Sequence, residues 1–449
     1  MKRLLTESLV KWKVSADRKP LIVQGVRQCG KTYLIKEFGS QNYKHVVYVN
    51  FEEKDENKNI FENDLKPHRI IEHLSLQFGA DINPEDTLIF LDEIQLCGRA
   101  VTSLKYFYED APEYHVIAAG SLLGVALSEK TSFPVGKVDF TTLRPMNFEE
   151  FLLASGKDMW AKHIMQGGDY SILSRQLREL LQTYYVVGGM PACVKTWVET
   201  KSIEKLEQVQ DAILIGYEKD FAKHAPKTEY PKLTAVWHSI PNQLAKENSK
   251  FIFSQVKDSW RAKDLTDALE WLIRAGLAHK VKLIEKPAFP LDAYSNDNFF
   301  KLYMCDVGLL RKMSNMPTGV IFDKTPLYKE FKGAMAENFA LTEILKSYNR
   351  AYYWKSDNTA EVDFIIQDGI DIVPIEVKSE KIGHAQSITS YCNKFKPAKS
   401  LVTAMVTNDL PLYLLWTLKE WLKKDTCFCQ PKTTAKGHEK IQRLYQHRN

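Results

Sequence analysis

Residues 25–32 read GVRQCGKT, a complete G-x4-G-K-T pattern between an apolar run, LIVQG (21–25), and a helical pattern from Lys31 to Phe38. A strand that turns through such a loop into a helix commits this part of the chain to a P-loop unit built on a parallel sheet. Gly25 and Gly30 let the loop wrap tightly, so that successive backbone N–H groups face phosphate oxygens. Lys31 places a cation on the outer phosphates and Thr32 offers a hydroxyl to magnesium. The helix N-terminus adds its positive dipole end. The expected nucleotide contacts are Gly25, Val26, Arg27, Gln28, Cys29, Gly30, Lys31, Thr32 and Tyr33.

The apolar runs HVVYVNF (45–51), TLIFLDE (87–93) and YHVIAAGS (114–121) alternate with helical patterns. Strands apolar on both faces belong in a parallel sheet covered by helices on both sides. Asp92 and Glu93 fall at the carboxyl end of one such strand, where sheets of this kind bind ligands. Asp92 is expected to hold magnesium through water and Glu93 to polarise an attacking water. Ser121 ends the next strand, where the ATPases that this pattern resembles place a polar residue that senses the γ-phosphate; a plain small-residue turn is the alternative. Asp55 to Asn63 reads as a polar connection.

These motifs together resemble the AAA-type ATPases, in a prokaryotic group marked by a GxRQxGKT loop, an LDEIQ box and an SFPVGK…PMNFEEF segment. They stand here as GVRQCGKT, LDEIQ (91–95) and SFPVGKVDFTTLRPMNFEEF (132–151). The resemblance covers most of the chain, because that group carries a C-terminal domain of unknown function similar to the remainder. It implies ATP and Mg2+ as ligands and ATP hydrolysis, with a homo-oligomer or a protein partner as an option. Many members have Gly-Arg where this chain has Gly136-Lys137, so Arg144 and Arg99 become candidates for an arginine finger; each also reads as a plain surface arginine.

With 449 residues the chain is expected to form two or three domains. The expected layout is an ATPase domain at 1–146 and a helical linker at 147–225. A winged-helix-like region (226–325), an α/β restriction-endonuclease-like domain (326–425) and a poorly ordered basic tail (426–449) follow. In the middle, a helix over 262–279 and a strand pair near 279–285 and 299–304 give the winged-helix pattern. Its helix offers Lys257, Arg261, Lys263 and Arg274 to DNA, beside Asp264, Asp267 and Glu270. The GGMP turn (188–191) is expected to serve a tight chain reversal rather than catalysis.

Further on, Glu376 and Lys378 share one face of a strand, DIVPIEVKS (371–379), and Asp363 lies on the strand before it. Two carboxylates can bind a divalent cation, and a lysine beside them can help activate hydroxide. The set resembles the PD-(D/E)xK nuclease core, with Asp363, Glu376 and Lys378 in its motif positions. Glu337 on the preceding helix matches the accessory acid, and Gln386 a position that is polar in some members. That resemblance implies Glu337, Asp363 and Glu376 as metal ligands. The alternatives are a nuclease-like fold with a binding role, or a strand with exposed charges.

A net charge of +5 permits contact with nucleic acid without arguing for it. The longest nearly apolar run, Val116 to Leu127, is too short to span a bilayer, so no membrane segment is expected. Seven cysteines without CxxC spacing, including Cys427 and Cys429 near the end, fit reduced thiols in the cytoplasm. Two functions of different class fit this sequence. One is an ATP-hydrolysing switch that positions a DNA-directed, nuclease-like module, with turnover in an oligomer as a variant. The other is a nucleotide-dependent protein-binding switch that cuts nothing.

Overall fold

The structure is a computed structural model that describes residues 1–62, 64–121, 134–246, 250–322, 329–356, 360–382 and 385–424. The first residues of the SFPVGK segment and the basic tail with Cys427 and Cys429 lie outside the described residues. The chain divides into two compact units, Met1–Lys280 with Lys301–Thr342, and Val281–Phe300 with Glu343–Asn449.

The first unit holds a five-stranded sheet in the order β2-β3-β4-β1-β5. Its strands are β1 (Leu21–Gln24), β2 (His45–Asn50), β3 (Thr87–Asp92), β4 (His115–Gly120) and β5 (Asp139–Thr142). Every pairing is parallel. All residues of β3 and β4 are buried, as the continuous apolar runs require of central strands covered on both faces. Ile22, Val49, Ile89, Leu91, Val116 and Ala118 form one core with Leu104 and Phe107 of the Gly98–Asp110 helix. Each large aliphatic side chain sealed there contributes about 1.5–3 kcal/mol of burial free energy.

β5 was not visible in the amino-acid pattern. Its four residues, Asp-Phe-Thr-Thr, alternate between half-buried and exposed, and it lies at the sheet edge beside β1. The connection after β2 also contains more structure than its polarity implied. A short helix, Glu56–Asn59, forms there, with Asn57 buried and its amide donating to the Asn50 carbonyl at 2.7 Å. Beyond the sheet the unit is helical, with helices Ser174–Val187, Pro191–Thr200, Ile203–His224, Tyr230–Leu244 and Ala262–Arg274. The last buries Leu265, Ala268, Leu269 and Leu272 on one face and leaves Arg261, Lys263, Asp267 and Arg274 exposed.

The second unit is built on a six-stranded sheet in the order β11-β10-β9-β8-β6-β7. The strands are β6 (Ala278–Ile284), β7 (Ser295–Met304), β8 (Tyr352–Lys355), β9 (Glu361–Asp368), β10 (Asp371–Lys381) and β11 (Leu401–Val406). The outer ends of β6 and β7 belong to the first unit. The sheet is mixed: β8–β9 and β9–β10 are antiparallel, whereas β6–β8 and β10–β11 are parallel. Gly369, at φ +62°, makes the turn of the β9–β10 hairpin. Tyr352, Trp354, Val362 and Ile365 pack with Ile388 and Tyr391 of the Gln386–Phe395 helix. The strand pair expected after the Ala262–Arg274 helix is present as β6 and β7, and β6 is flanked on its other side by β8.

Candidate functional site

The phosphate-loop sequence forms a left-handed, tightly backed turn. Gly25 has φ +155°, Gln28 +66° and Gly30 +92°. A Cβ at Gly25 would stand 2.0 Å from the Leu143 carbonyl oxygen, just past the end of β5, so no side chain fits there. The buried Cys29 thiol donates to that same carbonyl at 3.3 Å. Lys31 is buried at 6% exposure, and its ammonium donates to the Gly25 and Val26 carbonyls, each at 2.9 Å. Two of its three hydrogens are therefore held by the loop itself. Tyr33, one turn on, is exposed and its hydroxyl reaches Glu37 at 3.4 Å.

Opposite the loop, the Thr32 hydroxyl donates to Asp92 Oδ2 at 2.8 Å. The same oxygen accepts from the Tyr48 hydroxyl at 3.1 Å, and Asp92 Oδ1 accepts the Glu93 N–H at 3.0 Å. Tyr48 in turn accepts from the Asn50 amide at 3.0 Å. Burial, reinforced by the Asp92 charge, pushes the Tyr48 phenol up to about 12, which keeps it a donor. A hydroxyl and a carboxylate brought together are hard oxygen donors of the kind magnesium takes, alongside phosphate and water. Thr32 and Asp92 therefore fit that ion.

Glu93 adopts φ +51°, a left-handed conformation uncommon for a side chain of its size. Burial raises its carboxyl above the usual range, with Asp92 and Glu52 adding to the rise. The Gln95 hydrogen bond and the Lys31 charge act against it. Ser121, buried, follows β4, the strand between β3 and β1; Gly120 lies in register with Gln24. It thus stands between the carboxylate strand and the loop strand at their carboxyl ends.

Three contacts to the loop come from distant parts of the sequence. Arg3, 5% exposed, donates to the Cys29 carbonyl at 2.8 Å, the Arg144 carbonyl at 2.6 Å and Glu150 Oε1 at 3.0 Å. From the Ile203–His224 helix, the Tyr217 hydroxyl donates to the Arg27 carbonyl at 3.1 Å, and Asp220 pairs with the Arg27 guanidinium. Glu52 joins this group, 3.7 Å from Arg27 and 3.1 Å from Lys223. The GGMP turn is the third: Pro191 lies 3.5 Å from where a Gly30 Cβ would be. That turn is fixed by Met146 N–H donating to the Gly189 carbonyl at 2.7 Å, and by Gly189 N–H donating to the buried Asp306.

The arginine-finger candidates are placed differently from one another. Arg99 Nε donates to the Phe61 carbonyl at 2.6 Å, and Lys137 pairs with Glu109 at 3.1 Å. Arg144 lines a small, mostly apolar cavity, about 50 Å³ in volume, with Gly25, Val26, Asn147 and His279. Burial lowers the Arg144 guanidinium, and burial with the Arg144 charge drops the His279 ring to about 3.

In the second unit, the β9–β10 ladder sets Phe364 opposite Ile375. One step further, Asp363 faces Glu376, and Asp363 Oδ2 accepts the Val377 N–H at 2.7 Å. Glu376 is 3% exposed and accepts from Lys378 Nζ at 2.6 Å. Asp363, Glu376 and Lys378 therefore converge on one site, and Gln386 begins the helix that packs on these strands. Glu337, in the part of the Lys329–Ser347 helix that belongs to the first unit, accepts from the Tyr303 hydroxyl at 2.7 Å and lies 3.4 Å from Lys301. Among the described residues, no three His, Cys, Asp or Glu side chains are grouped to hold a metal. Nor is any described helix long and apolar enough to cross a membrane.

Residues 17–152 match a family described as AAA domain. Residues 178–319 and 332–421 match two families, each described as a domain of unknown function, DUF8612 and DUF4143. No curated protein matches the chain. Among solved structures, a Walker-type ATPase of Pyrococcus abyssi is 13% identical with a TM-score of 0.44, covering 70% of this chain and 95% of that one. The Aeropyrum pernix ORC1 protein, solved in complex with DNA, is 12% identical with a TM-score of 0.26, covering 71% and 92%. Both scores are too low to carry a fold assignment. The N-terminal part of this chain is an AAA-type P-loop ATPase domain.

Proposed function

We propose that the chain binds and hydrolyses ATP with Mg2+, and that nucleotide state governs a DNA-directed module in the second unit. The observation that carries the first part is the meeting of Lys31, Thr32, Asp92 and Glu93 at the carboxyl ends of β1 and β3. The Thr32–Asp92 hydrogen bond of 2.8 Å sets two metal-binding oxygens side by side. Residues Gly25 to Tyr33 hold the phosphates. Lys31 exchanges a loop carbonyl for a phosphate oxygen, and Thr32 with Asp92 holds the ion. Magnesium, when bound, neutralises charge on the β- and γ-phosphates. Glu93, with its carboxyl raised by burial, is a stronger base than an exposed glutamate and takes a proton from the attacking water. Ser121, buried after β4, is the residue assigned to sense the γ-phosphate.

The second part is supported by Asp363 facing Glu376 across a hairpin with Lys378 beside it, the donor set of a PD-(D/E)xK-like, metal-dependent phosphodiester site. Exposed Lys257, Arg261, Lys263 and Arg274, which belong to the first unit, support a further DNA contact through a winged-helix-like region. Purified wild type, Lys31→Ala and Glu93→Gln are to be compared by nucleotide titration and phosphate release. Lys31→Ala is expected to lose ATP binding, whereas Glu93→Gln keeps it and loses turnover by about 100-fold or more. Tight binding by Lys31→Ala removes the nucleotide assignment. In parallel, duplex and single-stranded DNA with magnesium or manganese, with and without ATP, test the second unit. Nicking lost in Glu376→Ala supports cleavage, and no nicking by wild type favours the protein-binding switch.

A further inference from the structure

The LDEIQ box contains a side chain that the hydrolysis proposed above does not yet use. Gln95 lies in the turn just after Glu93, and its amide nitrogen donates to Glu93 Oε2 at 2.5 Å. Its amide oxygen is buried and has no hydrogen-bond donor. Rotating the amide does not relieve this, because the oxygen would then face the Glu93 carboxylate. A buried carbonyl without a donor costs about 1–3 kcal/mol, so a site that keeps one has a use for it. The missing partner must donate a hydrogen, and it must sit beside Glu93, since covalent geometry fixes the amide oxygen next to the nitrogen.

We propose that Gln95 is the second residue that holds the attacking water, a role resting on ATP hydrolysis at this site. The water donates one hydrogen to the Gln95 amide oxygen and the other to the Glu93 carboxylate oxygen that Gln95 does not occupy. Its lone pair is then directed away from both, toward the γ-phosphate. In the reaction, the water oxygen bonds to the γ-phosphorus as the bond to the bridging oxygen breaks. ADP leaves with that electron pair, one water proton passes to Glu93, and the other remains on the product phosphate. Gln95 orients without exchanging a proton, as a glutamine does in other phosphoryl-transfer sites. Its N–H also holds the Glu93 carboxylate in place through the hydrogen bond to Oε2.

The test is steady-state ATP hydrolysis by the full chain, for wild type, Gln95→Ala and Gln95→Glu, with nucleotide affinity and melting temperature measured alongside. Gln95→Ala is expected to lower kcat roughly 10- to 100-fold, one charge-assisted hydrogen bond, with ATP affinity within about twofold. Gln95→Glu is slower still at neutral pH, with two carboxylates side by side. Unchanged or faster turnover in Gln95→Ala overturns the proposal and makes the contact a restraint on Glu93. A fall in kcat matched by a parallel loss of ATP affinity and melting temperature overturns it as well, leaving a structural role. Wild type that binds ATP without turnover in every condition defeats the hydrolysis reading itself, and the Gln95 role with it.

Discussion

Replacing Arg3 with alanine tests whether the phosphate loop is anchored by the chain's first turn. The side chains of Arg3 and Glu150 are 5% and 7% exposed and meet at 3.0 Å. Removing the arginine leaves a buried carboxylate, a perturbation that costs about 3–5 kcal/mol in comparable pairs. It also strips donors from the Cys29 and Arg144 carbonyls. Glu150 keeps the Leu4 N–H at 2.8 Å and the Asn147 N–H at 3.3 Å, which offsets part of the cost. The expected destabilisation is therefore about 3–5 kcal/mol, close to 6–10 °C in melting temperature at roughly 2 °C per kcal/mol for a large unit. ATP affinity falls too, since the Cys29 carbonyl belongs to the loop. The assay is calorimetric unfolding of wild type, Arg3→Ala, Glu150→Ala and the double variant, at low and high salt. The double variant recovers much of the loss because no charge is left buried, and salt changes little because the pair is shielded from solvent. An Arg3→Ala melting point within about 2 °C of wild type, or losses that simply add in the double variant, refutes the anchor.

Two further predictions concern the turns around the loop. Gly25→Ala places a Cβ 2.0 Å from the Leu143 carbonyl oxygen at a φ of +155°, so nucleotide titration is expected to show no binding and the melting temperature to drop. Unimpaired binding would mean that the loop and the end of β5 separate freely. Asp306 is raised by burial to about 6 from an ordinary 3.8, despite backbone N–H groups of Gly189, Leu309 and Gly308. The folded state then holds a proton that the unfolded chain has released. Its contribution to stability is complete below about pH 4 and falls as pH rises through 6, by roughly 3 kcal/mol at most. Denaturation of wild type and Asp306→Asn from pH 4 to 7 is expected to show that slope in wild type alone; identical slopes would contradict it.

What the sequence made legible was what is local. A glycine pattern between a strand and a helix gives the phosphate loop, and two carboxylates after LIFL give the site's acidic side. The alternation in PIEVKS puts Glu376 and Lys378 on one face. β5 escaped because an edge strand of four residues, two of them exposed threonine and phenylalanine side chains, carries no buried run. The short helix at Glu56–Asn59 escaped because its polar sequence hides one buried asparagine. The contacts of Tyr217 and Asp220 with Arg27 escaped for a different reason. Helical periodicity says which face of 203–224 is buried and never names its partner 190 residues away. Yet these contacts bear directly on the loop. Gln28 and Glu93, neither a glycine, sit at positive φ, and each such residue costs about 1–3 kcal/mol and persists only where its surroundings impose it. Arg3, the end of β5, the GGMP turn and the Ile203–His224 helix supply that surrounding for the loop from sites spread over more than 200 residues. A phosphate cradle of this shape is thus a property of the whole first unit, and the eight-residue motif specifies only where it forms.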